Sequence, residues 1–301
     1  MNKDFLSVCD LSGEELEEIF ELASSMKSRA SASRALEGKS VALLFEKPSL
    51  RTKLSFAVGV AQLGGTATYM GREEVGLGGR ESPEDVARVL SRYVSLAVIR
   101  TFSHQVLERF AAAAQVPVIN ALTDLLHPCQ IVSDLLTIKE MRGGIAGQVV
   151  AYVGDGNNVA NSWLNAVRRA DFSLRMAMPA GCRADREIED AALREAAERV
   201  IITEDPAEAV SGADVIYTDV WVSMGDEGKA EEKRRLLSGY QVNQELLAHA
   251  RPDCIVMHCL PAKRGEEITD DVLDGPQSVV LVQAENRLHA QKALMARLLG
   301  G

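Results

Sequence analysis

Short apolar runs rich in β-branched residues alternate with amphipathic stretches of helical length along nearly the whole chain. This alternation predicts βα units and parallel sheets, because parallel strands need a crossover connection that is usually a helix. We expect strands over Ser40–Phe45, Thr66–Met70, Leu96–Arg100, Val116–Asn120, Val149–Val153, Leu174–Met178, Val200–Thr203, Val215–Thr218, Cys254–His258 and Val279–Val282. The intervening patterns predict helices over Thr52–Leu63, Pro83–Tyr93, Gln105–Ala114, Gln130–Met141, Asn161–Arg169, Arg186–Arg199 and Ala284–Leu299.

A glycine-rich segment, MRGGIAG at Met141–Gly147, is the best candidate for a domain boundary, because it follows a helical run and precedes an apolar strand. A chain of 301 residues is long enough for about two cores. The predicted fold class is α/β, with two doubly wound parallel-sheet domains and the active site in the cleft between them. We expect domains at 1–142 and 143–283, with 284–301 forming a C-terminal helix that returns to the first domain.

The charge balance argues against nucleic acid as a partner. The chain has 33 Lys and Arg against 43 Asp and Glu, a net charge of −10, whereas binding to a phosphate backbone needs an excess of clustered basic residues. No stretch approaches the roughly 18 apolar residues of a membrane span, so we expect no membrane partner. An acidic N-terminus and five widely spaced cysteines without a C-x-x-C pair favour a cytoplasmic protein.

The first candidate site is an anion site where a predicted strand meets a helix, at Ser49–Lys53. A helix N-terminus offers unpaired N–H groups and a positive dipole end, and Ser49, Arg51 and Thr52 add two hydroxyls and a guanidinium. Phosphate or carboxylate suits such a site, although ordinary helix capping by Ser49 produces the same pattern. The segment lacks the glycines of a Walker A loop, which disfavours ATP or GTP chemistry.

Two more segments carry polar residues at the carboxyl ends of strands, where open α/β sheets bind ligands. Arg100 ends one predicted strand, although an arginine there is also a common surface ion-pair partner. His127 and Gln130 follow another strand at the opening of a helix, where both can point into a cleft.

In the second half, the loop Gly154–Asn158 only partly matches a dinucleotide-binding G-x-G-x-x-G, because Val159 replaces the third glycine. NAD binding is therefore a weak alternative. Asp219 follows another strand, where a carboxylate can bind an ammonium group or cap a turn. The charged run Asp226–Arg235 is expected to be an exposed loop, and the glycines of this segment would let it move as a lid.

Two Cys/His neighbourhoods, His127–Cys129 and His258–Cys259, raise the hypothesis of a zinc site. Adjacent residues of a strand face opposite sides, so His258 and Cys259 would not easily share one ion. We therefore expect no metal.

Taken together, these segments resemble the aspartate/ornithine carbamoyltransferase family, and within it the members that use ornithine. The motifs stand in the family's order: S-x-R-T at Ser49–Thr52, R-T-F at Arg100, H-P-C-Q at His127–Gln130, D-x-x-V-S-M-G from Asp219, H-C-L-P at His258–Pro261 and A-E-N-R at Ala284–Arg287. The resemblance implies carbamoyl transfer from carbamoyl phosphate to L-ornithine, giving L-citrulline and phosphate, in arginine metabolism and preferably biosynthesis. The alternatives are transfer to another amine, such as a modified ornithine or a diamine, and a non-catalytic carbamoyl phosphate-binding homologue.

The resemblance also implies roles for individual residues. Carbamoyl phosphate would be bound by Ser49, Leu50, Arg51, Thr52, Arg100, His127, Pro128, Cys129, Gln130, Cys259, Leu260 and Arg287. Ornithine would be bound by Asn158, Asp219, Ser223 and Met224. The implied catalytic set is Arg51, Arg100, His127, Asp219 and Cys259, with Cys259 as a polar contact and not a nucleophile.

No metal or organic cofactor is implied by the resemblance. Family members are usually homotrimers or assemblies of trimers, in which a neighbouring chain completes the carbamoyl phosphate site. Gly76 departs from the family pattern, since many members carry Gln or His there. Arg80 is a candidate substitute, although a solvated loop arginine is the simpler interpretation.

Overall fold

The computed structural model describes residues 3–28, 33–225 and 227–300. Its strands are β1 Ser40–Phe45, β2 Thr66–Gly71, β3 Leu96–Arg100, β4 Val118–Leu122, β5 Val149–Val153, β6 Ser173–Ala177, β7 Val200–Thr203, β8 Val215–Thr218 and β9 Ile255–His258. Its α-helices are α1 Gly13–Lys27, α2 Leu50–Gln62, α3 Arg72–Val75, α4 Pro83–Leu90, α5 His104–Ala113, α6 Pro128–Arg142, α7 Asn158–Ala166, α8 Arg186–Glu195, α9 Pro206–Val210, α10 Ala230–Leu237, α11 Gln244–Leu247, α12 Asp270–Leu273 and α13 Val280–Leu298. Short 3₁₀ turns occupy Val8–Asp10, Ala180–Cys182, Ala197–Arg199 and Glu227–Lys229.

The chain divides into two compact units. Unit 1 comprises Met1–Leu136 and Glu285–Gly301, and unit 2 comprises Thr137–Ala284. Unit 1 contains a four-stranded sheet in the order β2-β1-β3-β4, and unit 2 a five-stranded sheet in the order β7-β6-β5-β8-β9. Every strand pair in both sheets is parallel. The predicted fold class of two doubly wound parallel-sheet α/β domains is therefore confirmed.

Each sheet has a point where the strand order reverses. In unit 1 the chain leaves β1 for β2 on one side and returns to β3 on the other, and the ends of β1 and β3 lie in register at Phe45 and Arg100. In unit 2 the reversal lies between β5 and β8, which end in register at Val153 and Thr218. Open α/β sheets bind ligands in the crevice at such a point, beyond the carboxyl ends of the strands.

The central strands are buried, as parallel strands covered on both faces must be. In unit 1 all five residues of β3 are buried. In unit 2 the aromatic rings of Tyr152, Trp163 and Tyr217 pack together, with the two tyrosine rings stacked at 6.1 Å and Trp163 edge-on to Tyr217 at 5.3 Å. These rings anchor β5, β8 and α7 beneath the loops that follow the strands.

The predicted strand Val279–Val282 is wrong, because α13 begins at Val280. Ser278 makes a single bridge to Val256 and Val279 donates one further backbone bond to Val256, after which the chain turns helical. A short apolar run fits a buried helix as well as a buried strand, so its pattern does not separate the two. The fourth strand begins at Val118 and not Val116, because Pro117 has no N–H to donate to a ladder.

Asp226, the first residue of the charged run Asp226–Arg235, lies outside the described residues, and the rest of the run is not a continuous loop. A 3₁₀ turn leads into α10, whose Leu237 is buried and whose Lys233 forms an ion pair with Asp155 at 2.7 Å. Leu236 and Leu237, just beyond the charged run, supply the apolar side of this helix. Among the described helices, none combines the length and apolar composition that crossing a bilayer requires.

Candidate active site

The loop after β1 forms a helix N-terminus of the kind that binds anions. Ser49 is the N-cap of α2, with extended backbone, and its Oγ accepts a hydrogen bond from the Thr52 N–H at 3.2 Å. The predicted capping is thus present, and it leaves the other N–H groups of the first turn without an intrahelical partner. Leu50 is 70% exposed and Arg51 is half-buried in that first turn.

A chain of buried hydrogen bonds connects three of the predicted residues in unit 1. The guanidinium of Arg287 donates through Nη2 to Thr52 Oγ1 at 2.8 Å and through Nη1 to Gln130 Oε1 at 2.9 Å. Gln130 in turn donates through Nε2 to Asp134 Oδ1 at 2.8 Å. α2, α6 and α13 are thereby held together around one buried cation.

Arg100 lies at the carboxyl end of β3, where β4 is irregular. Ile99 is opposite Asn120 but Arg100 is opposite Leu122, so Ala121 is an extra residue in β4. A bulge of this kind redirects side chains, and such bulges are common beside active sites. The Arg100 side chain is 5% exposed.

His127 is buried close to two cations. Burial lowers its pKa well below the ordinary value, and the positive charges of Arg287 and Arg100 lower it further. At neutral pH His127 is therefore an uncharged imidazole beside two guanidinium groups. Donors fixed in this way suit an oxygen that gains negative charge during a reaction.

The remaining residues of the H-P-C-Q segment have structural contacts. Pro128 is the first residue of α6, a favoured position for proline. Cys129 is buried, and its thiol donates to the backbone oxygen of Asn120 at 3.3 Å. Burial raises the pKa of Cys129 to about 12, so its thiol is inert.

In unit 2, Asp219 is held at the end of β8 by three donors. Its Oδ2 accepts from Asn157 Nδ2 at 2.8 Å, and its Oδ1 accepts from the Cys259 thiol at 2.9 Å and from the Val220 N–H at 2.8 Å. Asp219 is 6% exposed. The predicted pair Asp219 and Cys259 is thus in direct contact, with the thiol as donor.

Asn157 connects this carboxylate to α7. Its Oδ1 accepts from the N–H groups of Val159 and Ala160, which caps α7, while its Nδ2 donates to Asp219. The sequence places both Asn157 and Asn158 at a helix start, and the family resemblance assigns ornithine to Asn158 alone, so the contact of Asn157 with Asp219 is not predicted. The place of Asn157 just before a helix is the signal that predicts an N-cap.

Ser223 and Met224 lie on the loop after β8. Ser223 is half-buried, and Met224 is 47% exposed. The ion pair of Lys233 with Asp155 connects the helix beyond this loop to the loop after β5. The loops after β5 and β8 are therefore joined by Asn157–Asp219 and by Lys233–Asp155.

Tyr152 supports the loop after β5 from below. Its hydroxyl donates to the backbone oxygen of Asp155 at 2.7 Å. Burial raises the pKa of Tyr152 well above its ordinary value, and the nearby negative groups Asp219 and Asp155 raise it further. The hydroxyl therefore keeps its proton and remains a donor.

The segment His258–Pro261 turns sharply at the end of β9. Leu260 has a φ of 56°, a left-handed conformation that is uncommon for a residue with a side chain, and the Leu260–Pro261 bond is cis. The Leu260 N–H donates to His258 Nδ1 at 2.8 Å.

The expectation that His258 and Cys259 face apart is wrong. The donor atoms of Asp219, His258 and Cys259 lie within 4.8 Å of one another, because β9 ends at His258 and the alternation of side chains ends with it. Both ring nitrogens of His258 nevertheless have partners, the Leu260 N–H and Glu267 Oε1. The three groups are therefore arranged by hydrogen bonds, and the imidazole presents no lone pair to a metal.

Gly156, in the loop that partly matches a dinucleotide-binding motif, and Gly76, which departs from the family pattern, each have a local structural reason to be glycine. Gly156 lies so close to the backbone of Arg183 that a Cβ would stand 2.2 Å from its carbonyl carbon. Close packing therefore accounts for this glycine without a dinucleotide. Gly76 ends α3 with a left-handed φ of 49°, which favours glycine over Gln or His, and Arg80 nearby is exposed.

Comparison with known proteins matches both halves of the chain. Residues 3–140 match the model of the aspartate/ornithine carbamoyltransferase carbamoyl-P binding domain, and residues 146–298 match that of the Asp/Orn binding domain. An ornithine carbamoyltransferase of Syntrophus aciditrophicus is 51% identical over 99% of this chain and 100% of its own length.

Solved structures agree with these matches. The ornithine carbamoyltransferase of Pyrococcus furiosus superposes with a TM-score of 0.95 at 48% identity, covering 99% of this chain and 97% of its own. The anabolic ornithine carbamoyltransferase of Campylobacter jejuni superposes with a TM-score of 0.93 at 36% identity, covering 99% of each chain. With matches of this extent along both units, the chain belongs to the aspartate/ornithine carbamoyltransferase family.

Proposed function

We propose that the chain transfers the carbamoyl group of carbamoyl phosphate to the side-chain amine of L-ornithine, giving L-citrulline and phosphate. The buried cluster of Thr52, Gln130 and Arg287, with Arg100 and His127 beside it, is the observation that carries this proposal. It joins two cationic groups and neutral donors beside a helix N-terminus, which is the chemistry that a phosphorylated carbonyl compound needs.

The reaction is an addition followed by an elimination. The uncharged amine attacks the carbonyl carbon, the carbonyl oxygen becomes an oxyanion, and the bond from carbon to the phosphate oxygen then breaks with its electron pair leaving on phosphate. Arg51 and Ser49 with the α2 N-terminus hold the phosphate, while Thr52, Arg100 and His127 stabilise the oxyanion. After the addition the attacking nitrogen loses one proton to solvent or to the leaving phosphate and keeps the other.

The amine-binding role falls to Asp219 in this proposal. An ionised carboxylate offers about four lone-pair sites, and three are used by Asn157, Cys259 and Val220. The remaining site suits one N–H of the substrate, with Asn158, Ser223 and Met224 on the adjoining loops. Cys259 and Leu260 contribute their backbone carbonyls to the carbamoyl amide.

The setting of the reaction is part of the same proposal. We place the enzyme in the cytoplasm and its reaction in arginine biosynthesis. The cytoplasmic location is supported by the five cysteines, all within the described part of the chain, because none of them forms a disulfide. We further propose a homotrimer. Its support is the α2 stripe, an exposed row formed by Leu50, Leu54 and Val58, which are 70%, 53% and 40% exposed.

The test is the formation of citrulline from L-ornithine under saturating carbamoyl phosphate, beside a panel that includes N-acylated ornithine and short diamines. Preference for L-ornithine is the expected result. A preferred amine from elsewhere in the panel would favour the alternative acceptor, and binding of carbamoyl phosphate without turnover would favour a non-catalytic homologue.

Two variants test the roles of the cations. Arg51→Ala and Arg100→Ala should each lower kcat at least roughly a hundredfold, the scale of losing one oxyanion donor. Arg88→Ala is the matched control, because Arg88 is an exposed arginine of unit 1 that pairs with Asp85. A near-parental rate in either site variant contradicts its role.

A further inference from the structure

We propose that Glu267 is a positioning residue for carbamoyl transfer, which sets the backbone of Cys259 and Leu260 through the imidazole of His258. The proposal rests on the function proposed above, in which the carbonyls of Cys259 and Leu260 orient the carbamoyl amide. Neither Glu267 nor His258 belongs to the residues assigned to a substrate.

The two side chains form a fully buried pair. Glu267 Oε1 lies 3.1 Å from His258 Nε2, and both side chains are 0% exposed. The same oxygen accepts the Lys263 N–H at 2.6 Å. Glu267 therefore holds both the imidazole and the backbone that follows Pro261.

The hydrogen bonds leave one tautomer of His258. The Leu260 N–H donates to Nδ1, so Nδ1 carries no proton, and Nε2 carries the proton that it donates to Glu267. If Nδ1 were protonated, two N–H groups would face each other. The carboxylate thereby selects the tautomer that accepts from Leu260, as carboxylates do for histidines in other sites.

This acceptor matters because of where Leu260 lies. Its left-handed φ of 56° is sparsely populated for residues with a side chain, and the bond to His258 Nδ1 restrains the peptide between Cys259 and Leu260 directly. That peptide carries one of the two carbonyls that the proposed function uses.

The backbones of His258 and Glu267 are also held by hydrogen bonds, and these involve none of the residues assigned to a substrate. The Gln283 side chain accepts the His258 N–H at 2.9 Å, and the Glu267 carbonyl accepts the Val242 N–H at 2.9 Å. Glu267 is thus a fixed point against which the imidazole is oriented.

Four variants test the proposal. Glu267→Gln keeps an oxygen that can accept from Nε2, whereas Glu267→Leu keeps the approximate volume but has no acceptor. His258→Asn keeps an oxygen near the position of Nδ1, which can accept the hydrogen bond from the Leu260 N–H. His258→Gln directs its amide towards Glu267 and leaves the Leu260 N–H without an acceptor. Within each pair, the first variant should retain activity and the second should lose it.

We expect kcat to fall roughly ten- to hundredfold in Glu267→Leu and His258→Gln, the range produced by misplacing a reacting group by up to about 1 Å. Glu267→Gln and His258→Asn should stay within about fivefold of the parent on the same reasoning. KM for ornithine should change less than kcat in all four, because the bonds from Asn157 and Val220 to Asp219 do not involve the displaced peptide.

A purely structural role predicts a different pattern, in which activity follows thermal stability. Asp214→Asn is the control, since Asp214 is a half-buried carboxylate just before β8, paired with Arg142 and Arg251, on the edge of the sheet opposite the site. It should lower the unfolding temperature and leave kcat unchanged. Equal kcat within both pairs, or a loss of kcat that only follows stability, overturns the positioning role.

A spectroscopic measurement decides the matter independently of turnover. The ¹⁵N shifts of the His258 ring in labelled protein should show a protonated Nε2 and an unprotonated Nδ1, and this pattern should be lost in Glu267→Leu. A protonated Nδ1 in the parent overturns the proposal even if the variants do not fold. A parent that shows the expected shifts but forms no citrulline contradicts the proposed function and leaves the Glu267–His258–Leu260 arrangement supported.

Discussion

His127 is a titratable residue of unit 1 on which burial and charge act in the same direction. Burial, Arg287 and Arg100 all lower its pKa, so the protein holds an imidazole that stays neutral where a free histidine would gain a proton. The folded state therefore resists protonation at this position, whereas the unfolded chain does not.

The consequence is a loss of stability in acid. Because the folded pKa lies below the unfolded value of about 6.5, the unfolded state alone binds a proton as the pH falls from about 6.5 towards the folded pKa. The free energy of unfolding should decrease there by up to about 1.4 kcal/mol per pH unit on account of His127. Urea unfolding at pH 7.5 and 5.5 should show a smaller decrease in His127→Gln. Equal decreases in the two proteins would contradict the assignment.

The residues of the candidate site differ in whether the sequence around them predicts their position. Arg100 ends β3 and Asp219 follows β8, whereas Ser49 and Thr52 lie at the start of the helix after β1, so the local pattern of strands and helices predicts where they stand. Arg287 was placed by resemblance to family motifs, and Glu267 was not placed at all. Both act through contacts between distant segments, Arg287 with Thr52 and Glu267 with His258, and hydrophobic periodicity carries no information about such contacts.

At the level of elements, short β-rich runs predict nine of the strands to within about two residues. The central strands are the clearest of these, since strands buried on both faces are continuous apolar runs. The same pattern misplaced Val279–Val282, where a buried helix has an equally apolar start. The many charged residues of the run Asp226–Arg235 likewise favour a loop over a helix, because the apolar side of α10 is formed by Leu236 and Leu237 at its end.

The loop between β5 and α7 allows a sharp test at this level. In Gly156→Ala the new Cβ meets the backbone of Arg183 and Ala184, with contacts of 2.2–2.5 Å, so the loop must move and carry Asn157 with it. We expect a loss of about 1–3 kcal/mol in the free energy of unfolding, the scale of overpacking, together with a raised KM for ornithine.

Gly144→Ala is the matched control, because a Cβ there meets nothing within 4 Å. Denaturant unfolding and steady-state kinetics on the two variants provide the comparison. If Gly156→Ala has the parental free energy of unfolding, the loop accommodates the new Cβ at no cost and the prediction is wrong.

At the scale of the whole molecule, the proposed trimer gives the α2 stripe a function. Leu50, Leu54 and Val58 follow one another at the spacing of a helical turn on α2, the helix that Ser49 caps. A face this apolar that stays exposed in one chain is suited to cover by a second copy.

Leu54→Glu should therefore shift the protein to a smaller species in light scattering and lower kcat, because a charge replaces an apolar contact and the neighbouring chain is withdrawn. Leu193→Glu, at an exposed leucine of α8, should leave mass and rate unchanged. A monomeric parent, or a Leu54→Glu protein of parental mass, would contradict the trimer.

The reversal point of each sheet has a consequence for how such an enzyme diversifies. The residues proposed for the phosphate end are held by bonds within unit 1, and the carboxylate proposed for the amine is held by bonds within unit 2. Donor chemistry and acceptor choice are therefore separately mutable traits. On the proposed roles, a lineage can change the amine that it carbamoylates by altering the loops around Asn158 and Ser223, while the residues of unit 1 and the carbonyls of Cys259 and Leu260 continue to serve the carbamoyl group.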